Sequence, residues 1–229
     1  MLPGMDGTGR LFARLLPHLP PALEQVVVAY PGNEPLSYAQ LLPFVQRALP
    51  GSEPFILLAE SFSGPLAVMV ASQHPQGLLG LVLVASFVRC PVSRVLALGA
   101  PLVRGWLMRA LPPSFQAWAL LGRRASAQHR LELESAVNTV SPAVLAARAR
   151  QVLAIDVSRD LAEVSVPILQ LVASEDALVL RSSAELIQRS SPHVHTVTIA
   201  APHLLLQVAP REAATAIESF AHSLGAFER

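Results

Sequence analysis

The feature that most constrains the fold is a series of short, continuously apolar runs separated by helical patterns. The runs do not alternate apolar with polar residues, which is typical of strands covered on both faces of a parallel sheet. They are Gln25–Tyr30, Pro54–Ala59, Leu79–Ser86, Ile168–Ala173 and His195–Ala200. The helical patterns are Gly9–Leu19, Tyr38–Leu49, Gly64–Gln73, Ala184–Arg189 and Pro210–Gly225. Strands that alternate with helices predict an α/β fold with a mostly parallel, doubly wound sheet.

Composition indicates how large the core can be and which classes of partner the net charge favours. Hydrophobic residues make up 52% and charged residues 14% of the 229 residues, against a usual charged share of about 25%. This length suits one domain, or one domain with an insertion. A formal net charge of +1 supplies no basic surface for nucleic acid or for an anionic membrane. We therefore expect a small-molecule substrate, with no nucleic acid and no stable membrane insertion.

Cysteine usage and the first residues bear on location. Cys90 is the single cysteine and has no partner within the chain for a disulfide, which favours a reducing compartment. Residues 1–7 lack the basic region and apolar stretch of a secretory signal. The charge-poor stretch Ser61–Val88 is interrupted by Gly64-Pro65 and by residues 74–77, which favours a buried helix and strand over a membrane span. We expect a cytoplasmic protein.

The alternation of strand and helix stops between Arg89 and about Asp160. This segment is rich in Leu, Ala and Arg, with several prolines, and predicts three or four short helices. The prediction divides the chain into a core of residues 1–88 and 160–229 and a helical cap insertion of residues 89–159. The insertion carries the large apolar side chains Trp106, Leu107, Phe115, Trp118 and Leu121. These side chains either close over a site or pack on the sheet.

The sharpest chemical signal is Ser61, in the turn between a predicted buried strand and a predicted helix. A serine on such a tight turn has strained backbone geometry, so the residues two before and two after it must be small. Ala59 and Ser63 meet this requirement. A helix that begins near Ser63 directs its free N–H groups toward the place where an oxyanion would form. The turn predicts a nucleophile, and the alternative is a small-residue turn with an incidental serine.

A serine hydroxyl is a weak nucleophile unless a base takes its proton, and that base needs an acid to orient it. Among the 7 histidines, His203 follows a predicted strand directly and precedes a helix. Asp176 follows the preceding strand, at the same sheet edge, and Glu175 is its rival by proximity. Asp156 and Asp160 come before that strand, which places them at the opposite end. Ser61, Asp176 and His203 are the candidate catalytic residues.

These residues, in the order serine, acid, histidine, resemble the α/β-hydrolase superfamily over nearly the whole chain. The sequence Ala59-Glu60-Ser61-Phe62-Ser63 resembles the nucleophile elbow, although alanine and serine replace both glycines of that motif. Asp176 resembles the acid after the penultimate strand and His203 the histidine after the last. The segment 89–159 matches the position of the helical cap.

The opening of the chain also resembles this superfamily. Its Leu-Pro-Gly-x-Asp-Gly-Thr-Gly sequence, residues 2–9, resembles the loop that carries half of the oxyanion hole in an esterase, thioesterase and acyltransferase branch that includes plant phytyl ester synthases. The resemblance implies that the backbone N–H groups of Met5 and Phe62 are the oxyanion donors. It also implies either an N-terminally shortened fold in which the first two strands are absent, or a true start upstream of residue 1. In the shortened fold, residues 25–30 would form an exposed sheet edge, and an exposed edge favours a homodimer.

The resemblance and the residues together predict a carboxylesterase-like serine hydrolase. It would cleave carboxylic esters with an apolar acyl group through an acyl-enzyme intermediate, with no metal and no organic cofactor. One alternative is an acyltransferase or thioesterase that uses the same three residues. A second alternative, from another class, is a non-catalytic ligand-binding protein on the same scaffold.

Overall fold

The computed structural model describes residues 1–91, 103–105 and 112–227. Its centre is a four-stranded, fully parallel sheet with the strand order β1-β2-β3-β4. The strands are β1 (Phe55–Glu60), β2 (Leu78–Val84), β3 (Ile168–Ala173) and β4 (Val194–Ile199). The predicted parallel α/β sheet is confirmed.

Helices flank the sheet and connect its strands. The α-helices are α1 (Tyr38–Arg47), α2 (Ser63–Ala71), α3 (Pro113–Leu121), α4 (Ala127–Val137), α5 (Pro142–Ala154), α6 (Ser158–Glu163), α7 (Arg181–Ser190), α8 (Leu205–Val208) and α9 (Pro210–Ser223). Local sequence accounts for several helix starts. The Ser37 hydroxyl accepts the Gln40 N–H while the Gln40 side chain accepts the Ser37 N–H, a capping box that begins α1. Ser141 caps α5 and Pro142 occupies its first position.

The core consists of two apolar layers, one on each face of the sheet. Leu81 and Leu83 of β2 belong to the layer that also contains side chains of α1 and α2. Val82 and Val84 of the same strand belong to the layer that contains side chains of α9. Successive side chains of a strand point to opposite faces, so both faces of β2 are buried. This burial explains why the strand sequences are continuously apolar.

The predicted strand Gln25–Tyr30 is wrong, because this segment forms no strand in the structure. The Val28 N–H donates to the Met1 carbonyl, and Leu2 makes a single parallel bridge to Ala59. A ladder needs several paired residues, and only residues 1 and 2 lie between this segment and β1. The segment therefore borders the sheet without joining it. Homodimerisation through residues 25–30 stays a prediction, which light scattering at high micromolar concentration would check.

The predicted helix Gly9–Leu19 is also wrong in type. The structure has two short 3₁₀ helices there, Arg10–Arg14 and Leu16–His18. Pro17 has no N–H to donate, and its ring would clash with the carbonyl of Ala13 in a continuous α-helix. The chain therefore turns tightly twice instead of forming one α-helix.

Helices α3, α4 and α5 lie between β2 and β3, where the sequence predicted a helical insertion. Leu121 is buried with Leu11, Leu133 and Leu204, whereas Phe115 and Trp118 remain 51% and 55% exposed. Trp106 and Leu107, named with them in the sequence, lie outside the described residues. Within the described ranges, no helix is long and apolar enough to cross a bilayer.

Candidate active site

Ser61 occupies the turn between β1 and α2 with a positive φ of 49°. This left-handed conformation costs about 1–3 kcal/mol for a residue other than glycine and persists only where the surroundings enforce it. Two hydrogen bonds enforce it here. The Ser61 N–H donates to the Val84 carbonyl at 2.9 Å, and the Ser61 carbonyl accepts the Ser86 hydroxyl at 2.7 Å. The turn therefore holds the serine in one position at the carboxyl edge of the sheet.

Gly64 allows the approach of Ser86 to this turn. A Cβ atom at Gly64 would lie 1.7 Å from the Ser86 Oγ, a distance at which two heavy atoms overlap. Ala59 and Ser63, the small residues on either side of Ser61, are both completely buried. The close packing on both sides of the turn explains the run of small residues.

The structure brings the three predicted side chains into one hydrogen-bonded chain. The Ser61 Oγ lies 2.8 Å from the His203 Nε2, and the His203 Nδ1 lies 2.8 Å from the Asp176 Oδ2. The His203 and Asp176 side chains are 4% and 6% exposed. With a proton on Nδ1 shared with the carboxylate, Nε2 is left to accept the serine proton. This arrangement can activate a serine hydroxyl.

The acid and the histidine reach the site because each follows a strand at the same sheet edge. The Asp176 Oδ1 accepts the N–H groups of Leu178 and Val179 at 2.8 and 2.9 Å, which fixes its carboxylate. The His203 loop is held by the insertion, since the Leu204 N–H donates to the Leu120 carbonyl at the end of α3. Glu175, the rival of Asp176 by proximity in the sequence, is exposed.

The backbone N–H groups of Met5 and Phe62 lie on the two segments that the resemblance assigned to an oxyanion hole. Phe62 directly precedes α2, and Met5 lies in the loop of residues 2–9. Among the described residues, neither N–H donates to a protein acceptor. N–H groups without an internal partner at a helix start can stabilise a negative oxygen. Their role as oxyanion donors stays a prediction.

Two buried charged groups behind this loop, Arg148 and Glu60, are not among the residues predicted from the sequence. Arg148 of α5 is 2% exposed and Glu60 of β1 is 1% exposed. A signal for Arg148 was present, because it follows the buried Val144 by four residues and so lies on the same face of α5. Glu60 gave a weaker signal as the one charged residue in an otherwise apolar strand.

Burial raises the pKa of the Glu60 carboxyl from 4.5 to about 7, and the nearby Asp6 carboxylate acts in the same direction. The Glu60 Oε1 has no hydrogen-bond partner among the described residues. Burial disfavours the ionised form of a carboxyl, and here its effect outweighs the hydrogen bond with Gln207, which lowers the pKa. Glu60 therefore holds its proton more tightly in the folded chain than in the unfolded chain.

We expect Glu60→Gln to change how stability depends on pH. In the wild type, the contribution of the protonated Glu60 is complete below its ordinary pKa of 4.5 and is lost as the pH rises through about 7. Glutamine keeps a neutral side chain of the same shape, so the variant should gain up to roughly 3 kcal/mol relative to the wild type between about pH 4 and about pH 8. Urea unfolding at the two pH values measures the difference.

The control for this prediction is Glu53→Gln, because Glu53 is an exposed carboxylate just before the same strand. The free energy of unfolding of this variant should differ from that of the wild type by the same amount at both pH values. The prediction would be contradicted if Glu60→Gln changed the free energy of unfolding by the same amount at both pH values. The Glu60 carboxyl would then titrate alike in the folded and unfolded chains.

No group of three His, Cys, Asp or Glu side chains within residues 1–91, 103–105 and 112–227 is arranged to hold a metal ion. The hydrogen-bonded chain itself contains the groups that nucleophilic catalysis requires: a nucleophile, a base and an orienting acid.

Comparisons with known proteins identify the family. The sequence model of the family described as serine aminopeptidase, S33 matches residues 38–206. This range contains Ser61, Asp176 and His203. No curated protein matches the sequence.

Several solved structures share the fold at low sequence identity. MenH from S. aureus is 16% identical, with a TM-score of 0.82 over 97% of this chain and 92% of that one. A bromoperoxidase from Bacillus anthracis is 17% identical, with a TM-score of 0.80 over 96% and 90%. A lipase-esterase related protein from Clostridium acetobutylicum is 16% identical, with a TM-score of 0.78 over 96% and 92%. The chain is therefore a hydrolase that belongs to the serine aminopeptidase, S33 family of the α/β-hydrolase superfamily.

Proposed function

We propose that this hydrolase cleaves carboxylic esters with an apolar acyl group, using Ser61 as nucleophile, His203 as base and Asp176 as orienting acid. The observation that carries the proposal is the continuous chain of two 2.8 Å hydrogen bonds from the Ser61 Oγ to the Asp176 Oδ2. These contacts support the proposal because acyl transfer to a serine requires a base within hydrogen-bonding distance of the hydroxyl and an acid that orients the base.

In the proposed reaction, the His203 Nε2 takes the Ser61 proton as the Oγ attacks the ester carbonyl. The negative oxygen of the tetrahedral intermediate accepts the N–H groups of Met5 and Phe62. His203 then gives the proton to the leaving alcohol, and the acyl-enzyme forms. Water, activated by the same histidine, attacks the acyl-enzyme and releases the acid.

Apolar side chains on the helix that contacts the His203 loop support an apolar acyl group. Helix α3 ends next to this loop, where the Leu120 carbonyl accepts the Leu204 N–H. The same helix exposes Phe115 and Trp118, whose rings lie 5.9 Å apart. Exposed aromatic pairs of this kind favour binding of apolar ligands. A lipase-esterase related protein with the same fold is consistent with such a substrate.

The test is hydrolysis of p-nitrophenyl esters of increasing acyl length, combined with labelling of the wild-type protein by an alkyl fluorophosphonate. We expect ester turnover and a single label that peptide mapping places on Ser61. An aminoacyl p-nitroanilide is assayed in parallel, because the family is named for aminopeptidases. Cleavage of the anilide without cleavage of any ester would overturn the proposed substrate class, and an unlabelled Ser61 would overturn the mechanism.

Product analysis separates hydrolysis from the two alternatives that the sequence left open. A transferase would form the new ester when an alcohol is added in water, and a thioesterase would prefer an acyl thioester over the matching oxygen ester. A non-catalytic binding protein would retain an apolar ligand and turn over none of these substrates. Free acid as the main product from an oxygen ester supports the proposed function.

A further inference from the structure

Arg148 is a buried cation that connects the insertion to the loop of residues 2–9. It lies on α5, and its side chain is the largest among those that are almost completely buried. Its Nη1 donates to the carbonyl of Met5 at 2.8 Å and to the carbonyl of Asp6 at 2.9 Å. Its Nη2 donates to the carbonyl of Pro31 at 3.1 Å. One side chain thus binds three backbone carbonyls from two separate loops.

Aromatic rings and glycine complete the surroundings of this guanidinium. Its central carbon lies 5.7 Å from the ring centroid of Tyr30 and 5.9 Å from that of Phe62. A Cβ atom at Gly7 would lie 2.4 Å from the Arg148 Nη1, and Gly7 has a φ of +69°. The backbone of the loop is therefore in direct contact with the guanidinium, and only glycine fits at this position.

These contacts argue against a role in binding substrate. Both N–H groups of Nη1 are used by backbone carbonyls, and the side chain is 2% exposed. Stability alone does not require a cation at this position, because a buried ion contributes little net stability compared with apolar residues of the same size. What the three carbonyl contacts do specifically is fix the backbone of Met5 and Asp6.

We propose that Arg148 is a positioning residue that holds the Met5 N–H in place for the oxyanion of the reaction. The inference rests on the proposed function and adds to it a link between the insertion and the chemistry at Ser61. The Met5 N–H belongs to the peptide between Gly4 and Met5. The carbonyls of Met5 and Asp6 belong to the next two peptides, and fixing them restricts the rotation about Met5 that would turn its N–H away. An oxyanion donor is effective only when it is held in position before the charge develops.

Arg148→Lys tests the proposal. Lysine keeps the positive charge but cannot reach several carbonyls with the planar geometry of a guanidinium. Because the Met5 N–H acts on the transition state, we expect kcat for a p-nitrophenyl ester to fall by about 10–100-fold, with little change in KM. The affinity for an alkyl trifluoromethyl ketone, which forms a tetrahedral adduct with a serine, should fall by the same factor as kcat/KM. A merely structural role would not couple these two quantities.

Arg150→Lys is the matched control. Arg150 lies on the same helix and donates to one backbone carbonyl, that of Val103, at 2.7 Å. We expect wild-type kcat and wild-type inhibitor affinity for this variant. Both variants are assayed well below their unfolding temperatures, which circular dichroism provides.

A second variant, Gly7→Ala, disturbs the contact between Arg148 and the loop by changing the loop. Gly7→Ala retains Arg148 but introduces the Cβ atom that would displace its guanidinium, so it should reproduce the loss in kcat and in inhibitor affinity. This variant decides the question if Arg148→Lys does not fold. A folded Arg148→Lys or Gly7→Ala protein with wild-type kcat, or one in which only KM changes, would overturn the proposal.

The rate of fluorophosphonate labelling at Ser61 separates failure of this proposal from failure of the proposed function. That reaction develops charge on a phosphoryl oxygen at the same site and needs no ester turnover. Slower labelling in Arg148→Lys, together with no hydrolysis of any ester by the wild type, would overturn the substrate class but support the positioning role. Equal labelling rates in the two proteins would overturn the positioning role.

Discussion

Replacing Ser61 by alanine is expected to lower kcat for a p-nitrophenyl ester by about 10⁴-fold or more. The variant loses the oxygen that the His203 Nε2 contacts on the reacting side, so no acyl-enzyme can form. Binding of the ester should be retained, because the change removes one oxygen from a serine that is held in place by its backbone. Steady-state kinetics measures the loss in kcat, and mass spectrometry of the intact protein shows whether an acyl-enzyme forms.

Ser72→Ala is the control for this prediction. Ser72 caps the end of α2, and its hydroxyl donates to the Met69 carbonyl at 3.1 Å, at the far end of the helix that begins beside Ser61. This variant should retain wild-type turnover. Loss of activity in both variants would indicate damage to α2, and full activity without Ser61 would assign catalysis to another group.

The fold could be predicted from sequence where burial alone determines the pattern. Strands β1, β2 and β3 are mostly buried, so their apolar runs record their environment directly, whereas the edge strand β4 exposes His195 and Thr198. Residues 25–30 have the same kind of run, but the N–H groups of Val28 and Tyr30 donate to the carbonyls of Met1 and Gly7 and not to a neighbouring strand. An apolar run does not reveal how many partner residues a strand has. Pro17 contributes to the break in the predicted helix Gly9–Leu19, because it has no N–H to donate, although α1 accommodates Pro43 in its interior.

The residues of the candidate site also differ in whether the sequence alone could identify them. Ser61, Asp176 and His203 could be found because each follows a strand closely, and parallel strands bring their carboxyl ends to one edge. Arg148 could not be assigned from sequence, since its partners are backbone carbonyls of residues 5, 6 and 31. Any residue supplies a carbonyl, so no residue type in the sequence marks such a contact.

The insertion is connected to the site at two points. The Leu120 carbonyl of α3 accepts the Leu204 N–H beside the histidine, and Arg148 of α5 binds the carbonyls of the loop that contains Met5. The two contacts lie on different helices and hold different loops. Helices between β2 and β3 therefore help to set the geometry around Ser61 in addition to covering the sheet.

Replacing Asp176 by asparagine is expected to reduce kcat by about 10⁴-fold with the fold intact. In the wild type, the N–H groups of Leu178 and Val179 donate to the Asp176 Oδ1. The asparagine side-chain oxygen can still accept both of these hydrogen bonds. Its amide N–H then faces the His203 Nδ1 and donates a hydrogen bond to it. That donation places the imidazole proton on Nε2, so the histidine can no longer accept the proton of Ser61.

The matched control is Glu175→Gln, which removes the neighbouring carboxylate while the 2.8 Å contact between Asp176 and His203 remains. We expect near-wild-type kcat for this variant, measured with the same ester and over the same pH range as for Asp176→Asn. A large loss of kcat in Glu175→Gln with little loss in Asp176→Asn would assign the role of the acid to Glu175. The reason is that only the residue that orients the imidazole can set which of its nitrogens carries the proton.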